Sequence, residues 1–271
     1  MFERQIGMST KPRHLTAERV TRFQDQSLVD VYHHRLPYPQ AVFDRLLSLL
    51  DGLPRTILDV GTGTGDIARG LALVVEQVDA IDVSEVMLRR AQTLPNGQHP
   101  NLHWIQGRVE EARLQATYSI ITGGDSIHWM DWETVFPLFR EVLHSDGYVV
   151  IIERNELPTV WEDGLRKLIT AYSNYKNFEP YDLIVELEKR QVFQVIGHEM
   201  TAPAGSMQSV DDYIASFHSR SNLSPDVMKA EDVEAFDNQL RSLVEPYSRD
   251  GQLELNTVAT LVWGKPLNPR D

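Results

Sequence analysis

The sequence predicts an α/β fold in which a mostly parallel sheet is flanked by helices, and three observations carry that expectation. Short apolar runs recur at 56–60, 77–81, 102–106, 118–122 and 148–152. Helix-compatible stretches, among them 85–92 and 132–143, lie between those runs, the alternation that parallel strands with crossover helices require. The first run opens directly into Gly61, Gly63 and Gly65, a strand-to-helix turn that draws on the conformational freedom of glycine. No repeat, low-complexity tract or linker divides the 271 residues, so a single domain over 1–271 with helical additions is expected.

The first 22 residues hold Arg4, Lys11, Arg13, Arg19 and Arg22 against Glu3 and Glu18, a local excess of +3 that reads as a solvated arm. After Tyr38-Pro39, the residues Val42, Phe43, Leu46, Leu47, Leu49 and Leu50 form a helical apolar stripe that stops at Asp51-Gly52-Leu53-Pro54. Ser145-Asp146-Gly147 is a turn feeding the buried run YVVII. Beyond Glu153 the rhythm changes: 158–190 reads as helix, with Trp161, Leu165, Leu168, Ile169 and Tyr172 on one side. Asn177-Phe178-Glu179-Pro180 divides that stretch in two. A strand over 192–200, a helix over 209–220, a helical region over 227–247 and a final strand in LELNTVATLVW complete the chain.

Composition narrows the chemistry. With 26 Lys+Arg against 39 Asp+Glu the net charge is −13, a field that opposes nucleic-acid binding. The absence of cysteine removes disulfides, thiolate nucleophiles and Cys-ligated zinc or iron–sulfur centres. No signal-peptide-like stretch opens the sequence, and no run approaches the roughly 20 apolar residues of a membrane span. The expectation is a cytoplasmic protein without a membrane partner; its oligomeric state is not legible.

The segment ILDVGTGTGDIARGLA, residues 57–72, carries the sharpest signal. Glycines after a buried strand let the backbone approach a ligand closely, and the following helix start offers free N–H groups. Asp59, just before the turn, is placed to orient the loop or to meet the polar end of a ligand. Asp66-Ile67 after Gly65 rules out a phosphate loop and breaks the dinucleotide pattern at its third glycine. Asp82 ends the second strand 21 positions after Gly61, where a carboxylate can accept from two ribose hydroxyls. Ser84 is positioned to cap the next helix.

These motifs resemble the class I S-adenosylmethionine-dependent methyltransferases, in their small-molecule branch. ILDVGTGTGDIA resembles the family's first motif, Asp82 in AIDVSEVMLRRA its ribose position, and SIITGGDSIHWMD with DGYVVII its fourth-strand loop and fifth strand. The resemblance spans roughly 30–155 and implies a Rossmann-like sheet of seven strands, order 3-2-1-4-5-7-6, with strand 7 antiparallel. It implies S-adenosyl-L-methionine as cofactor, with Asp59, Gly61, Gly63 and Gly65 around the methionyl part, Asp82 on the ribose, and Thr62 and Gly124 as further cofactor-binding positions. Val83 and Met87 would border the adenine, and Arg108 and Val109 its edge, although Arg108 replaces an acidic residue frequent there. YHHRLPYP resembles the family's tyrosine/arginine entrance, so Arg35 would meet the cofactor carboxylate or else pair with a surface acid.

The loop GGDSIHWMDW is the candidate for alignment of the methyl acceptor. Asp125 and His128 are the candidate catalytic groups, His128 either as a base near neutral pH or as a packed support. The helical additions at 1–38, 158–190 and 209–247 would cover the active site. Trp129, Trp161, Tyr172, Phe217 and Arg220 are the candidate substrate residues, the aromatics serving equally well as core, and Phe178, Tyr181 and Tyr213 belong to the same aromatic group. Dispersed His33, His34, Tyr175, His198, Glu199 and His218 form no local chelate, and adjacent His33 and His34 are expected to point apart, so no metal is expected. The partner expected is a small-molecule acceptor, methylated by direct in-line substitution at oxygen, nitrogen or carbon. The competing readings are an NAD(P)-dependent oxidoreductase, a noncatalytic cofactor-binding protein and, below these, a nucleic-acid methyltransferase.

Overall fold

A computed structural model describes residues 25–114, 117–174 and 181–268. The basic segment 1–22, Tyr175 and the interruption at 177–180 lie outside them. Strands β1 (Thr56–Val60), β2 (Gln77–Asp82), β3 (Leu102–Gln106), β4 (Tyr118–Gly124) and β5 (Leu143–Glu156) pair in parallel in the spatial order β3-β2-β1-β4-β5. β1, β2 and β4 are buried over nearly their whole length, as strands covered on both faces must be. β8 (Gln252–Pro266) lies antiparallel between β5 and β6 (Phe193–Met200), which gives the inverted finish that the sequence predicts.

The sheet has eight strands rather than seven. The additional β7 (Ala204–Ser209) pairs with the first half of β8, and β6 pairs with its second half. The sixth strand is thus one edge broken in two along a 15-residue partner. At the break, Thr201 N–H donates to the Ala259 carbonyl at 2.9 Å and Ala259 N–H donates to Thr201 Oγ1 at 3.0 Å. Pro203, which has no N–H to give, follows.

Alternation along the strands builds two cores. On one face, Val42 and Leu46 of α2 (Gln40–Leu49) and Ile67 and Leu71 of α3 (Asp66–Leu71) pack on Ile57, Val78, Ile120 and Val150. On the other, Phe136 and Phe139 of α5 (Trp132–Val142) and Leu187 of α7 (Leu183–Lys189) pack on Leu58, Ile121 and Val149. Leu28 and Val29 of α1 (Gln26–Val31) meet Met87 of α4 (Glu85–Thr93).

A third core belongs to the helical additions. Leu165 of α6 (Glu162–Tyr172), Tyr213 and Phe217 of α8 (Val210–His218) and Phe236 and Leu240 of α9 (Ala230–Val244) close around Trp161, Leu36 and Leu255. This layer faces the carboxyl end of β5, with a cavity between them. Among the described residues no helix is long and apolar enough to cross a membrane.

Candidate active site

The glycine turn runs through three left-handed residues, Gly61, Gly63 and Gly65, at φ +64°, +57° and +76°. Their surroundings differ. A Cβ on Gly61 would fall 2.6 Å from Ser126 Cβ, and one on Gly65 2.4 Å from the Trp104 ring, so packing within the protein closes both positions. A Cβ on Gly63 would meet nothing nearer than Tyr32 Oη at 3.7 Å. That position opens onto a cavity.

Two buried carboxylates hold the turn. Asp59 accepts from Thr62 Oγ1 at 2.5 Å and from Thr122 Oγ1 at 2.7 Å, and burial pushes its pKa up to about 6. Asp82 accepts from the backbone N–H of Gly63 and of Ser84, each at 2.8 Å, and burial raises its pKa as well. These two bonds leave acceptor capacity on a carboxylate that has about four lone-pair sites. Ser84 caps α4 by accepting from Met87 N–H at 3.2 Å.

Three cavities adjoin one another here, two of them around this turn. The first is bordered by Gly61, Gly63, Asp82, Val83, Met87, Arg108, Val109 and Gly124, together with Arg35, Asp125 and Trp129. The third is bordered by Asp59, Gly61, Thr62 and Gly124, with Tyr32, Tyr38, Asp66 and Arg154. The second, of about 410 Å³, lies under the helical layer and is bordered by Arg35, Asp125, Arg154, Glu156 and Arg220. Arg35 and Asp125 are common to the first and second; Gly61 and Gly124 are common to the first and third.

Other expected site residues stand elsewhere. Gly65, His128, Trp161, Tyr172 and Phe217 border none of these three cavities. Gly65 is the left-handed N-cap of α3. His128 is half-buried in a 3-10 turn, its ring centroid 4.8 Å from that of Trp129. Trp161 and Phe217 each meet Tyr213 edge-on, at 6.2 Å and 5.1 Å, and Tyr172 meets Phe236 at 5.7 Å. His33 and His34 correct an expectation: their ring centroids are 3.9 Å apart, because a 3-10 turn does not separate neighbours as a strand does. Arg108 pairs with Glu110 at 3.0 Å.

Arg154 is the principal residue that sequence reasoning missed. Its side chain is 9% exposed, with Asp125 at 3.9 Å and Asp66 at 4.0 Å. It lies over the Tyr38 ring at 4.5 Å and donates to the Leu36 carbonyl. Tyr38 Oη donates to Asp125 at 3.0 Å, and Arg154 N–H donates to the other Asp125 oxygen at 3.2 Å. Asp125 is left-handed at φ +51°. The only available sequence signal was the acid-base pair Glu153-Arg154 ending an apolar strand.

The profile of the family described as "Methyltransferase domain" matches residues 57–147. The chain is 36% identical over 121 residues to the malonyl-(acyl-carrier protein) O-methyltransferase of Halalkalibacterium halodurans, a match covering 39% of this chain and 44% of that one. A protein of the same description from Xylella fastidiosa is 33% identical over 144 residues, covering 45% and 48%. The chain thus spans less than half the length of these curated relatives. Among solved structures, an S-adenosylmethionine-dependent methyltransferase from Thiobacillus denitrificans in complex with S-adenosylhomocysteine shares the fold at 14% identity, TM-score 0.52, covering 88% of this chain and 97% of that one. The first motif, the ribose-position acid and the parallel strand order all lie in or around residues 57–147, the stretch that matches a methyltransferase domain.

Proposed function

We propose that the protein transfers a methyl group from S-adenosylmethionine to a small-molecule acceptor. The observation that carries this reading is the junction of the first and second cavities at Arg35 and Asp125, which gives donor and acceptor separate chambers with a common neck. The chain fits the cofactor. Gly63 leaves space that a side chain would fill, and the Asp82 carboxylate borders the same cavity with acceptor capacity for ribose hydroxyls. Val83, Met87, Arg108 and Val109 border the adenine end; Asp59, Thr62 and Gly124 border the methionyl end, and Gly65 sets the helix behind them.

When bound, the cofactor supplies an electrophilic methyl on a sulfonium that leaves without protonation. The chain supplies position: for in-line substitution the acceptor atom must stand opposite the sulfur–methyl bond, and holding it there accounts for much of the rate. Arg35 and Asp125 stand at the neck. Asp125, oriented by Tyr38 and the Arg154 backbone, is placed to take a proton from an acceptor that has one to lose. His128 acts behind this wall as packing. The helical layer covers the acceptor chamber, with Arg220 on its surface and Trp161, Tyr172 and Phe217 holding it together, while Trp129 borders the donor side. In this reading the protein works in the cytoplasm as a single domain, and its net charge of −13 opposes a nucleic-acid substrate.

The test is a calorimetric titration with S-adenosylhomocysteine, with saturable binding expected and no competition by NAD or NADP. Absence of binding by both S-adenosylmethionine and S-adenosylhomocysteine at millimolar concentration defeats the proposal. Labelled methyl incorporation from a metabolite extract then identifies the acceptor.

A further inference from the structure

Three arginines border the acceptor-side cavity, and their charges are not equally matched. Arg154 stands between Asp125 and Asp66. Glu162, on the same wall, is engaged by Arg166 at 2.9 Å. Among the described residues, Arg35 donates to neutral oxygens: Ser219 Oγ and the Ser219 carbonyl at 2.8 Å each, and Tyr32 Oη at 3.3 Å. Among the described residues, Arg35 has no carboxylate within ion-pair distance. Arg220 lies on the face of Phe217 at 4.4 Å, and Glu156, at 3.4 Å, is its carboxylate partner.

Burial first, and then the nearby Arg35, disfavour the charge of Arg220. Arg35 and Arg220 share the cavity wall with Glu156 and with Glu162, which Arg166 also holds, while two further carboxylates stand by Arg154. The Arg220 side chain retains 37% exposure and borders the cavity, and its planar fork matches a carboxylate in two-point contact. Leu36, Leu165 and Ile169 supply an apolar part of the wall, beside Asn155 and Ser216.

Resting on the methyl-transfer reading, we propose that the acceptor is a small organic acid whose carboxylate is seated by Arg220 beside Arg35, with its carbon chain against Leu36, Leu165 and Ile169. Glu156 occupies the Arg220 fork until the acid displaces it. The acid carboxylate gives Arg35 and Arg220 a shared charge partner, which a neutral acceptor of the same shape cannot do.

The test uses the full chain saturated with S-adenosylhomocysteine and compares hexanoate, octanoate and adipate with hexanamide, octanamide and adipamide by calorimetry. At least one acid is expected to bind saturably and about tenfold or more tighter than its amide. Arg220→Gln should abolish that preference and Arg220→Lys restore part of it. Glu156→Gln should tighten acid binding, because the competing carboxylate is gone; a purely structural role would not give that sign. Retained S-adenosylhomocysteine affinity, in a cavity that Arg220 does not border, checks that the variants fold. Equal binding of acids and amides, no acid binding, an undiminished preference in Arg220→Gln, or weaker acid binding in Glu156→Gln overturns the proposal. Failure of the wild-type protein to bind S-adenosylhomocysteine overturns the methyl-transfer reading itself, and the inference with it.

Discussion

The Asp82 carboxylate accepts the Gly63 amide N–H at 2.8 Å, so the residue assigned to the ribose also fixes the turn that leaves room for the ligand. Asp82 stands at the end of β2 and Gly63 just beyond β1, and the parallel register of Val60 with Ile81 brings the two together. One side chain thus couples the shape of the glycine turn to the chemistry of the cavity.

Asp82→Ala should weaken S-adenosylhomocysteine binding by about 1–3 kcal/mol, since ribose hydroxyls lose a charged acceptor and the Gly63 N–H loses its partner. Asp82→Asn should lose less, because the amide oxygen still accepts. Calorimetric titration of both variants decides, and unchanged affinity in the alanine variant removes the contact.

Gly63→Ala and Gly65→Ala should fail in different ways. Both place an L residue in the left-handed region at about 1–2 kcal/mol, but only the Gly65 Cβ collides with Trp104. Gly65→Ala should therefore lose more stability in urea unfolding, whereas Gly63→Ala should lose cofactor affinity out of proportion to stability. Gly63→Val should lose still more affinity.

The sequence made much of this region legible because its signals are local. A buried run, three glycines and an acid at the end of the next run are specified by neighbours in the chain, and β1, β2 and the turn lie where they predict. Arg154 was not legible because Asp66, Asp125 and Tyr38 reach it only through the sheet. Trp161 and Phe217 were ambiguous for a related reason: an aromatic side chain serves a cavity or a core according to which side its helix turns inward, and the edge-on contacts with Tyr213 settle that direction in the tertiary structure. The break between β6 and β7 depends on the length of β8, which is set 40 or more residues later in the chain.

Asp59 predicts a dependence on pH. Its folded pKa of about 6 lies above the ordinary 3.8, so the folded chain holds the proton more tightly than the unfolded chain. This group's contribution to stability therefore falls as pH rises through that interval, by up to about 3 kcal/mol. Asp59→Asn should stabilise the protein above that range and flatten the slope in thermal melts across it. Cofactor affinity should fall in the same variant if the carboxylate faces the methionyl ammonium.

Arg154→Met should destabilise by about 3–5 kcal/mol, because it removes a buried cation from between Asp66 and Asp125 and withdraws the donor from the Leu36 carbonyl. Tyr38→Phe, which removes one bond to Asp125, should cost about 1 kcal/mol. Urea unfolding of the two variants measures both, and a small effect of Arg154→Met would mean that the carboxylates are relieved by solvent.

His128 and Asp125 can be separated by kinetics once an acceptor is known. Asp125 borders both donor and acceptor cavities, whereas His128 borders neither. Should His128 be a base, His128→Ala would lower kcat by about a hundredfold or more and leave cofactor affinity intact. The geometry predicts instead a fall of less than about tenfold, accompanied by lower stability as the contact with Trp129 is lost. Asp125→Asn should lower kcat more than His128→Ala when the acceptor must lose a proton. For a carboxylate acceptor, whose oxygen attacks already deprotonated, the Asp125→Asn effect should lie mainly in KM. The ratio of these two losses, measured across pH with a fixed cofactor concentration, tells whether the neck performs proton transfer or positioning alone.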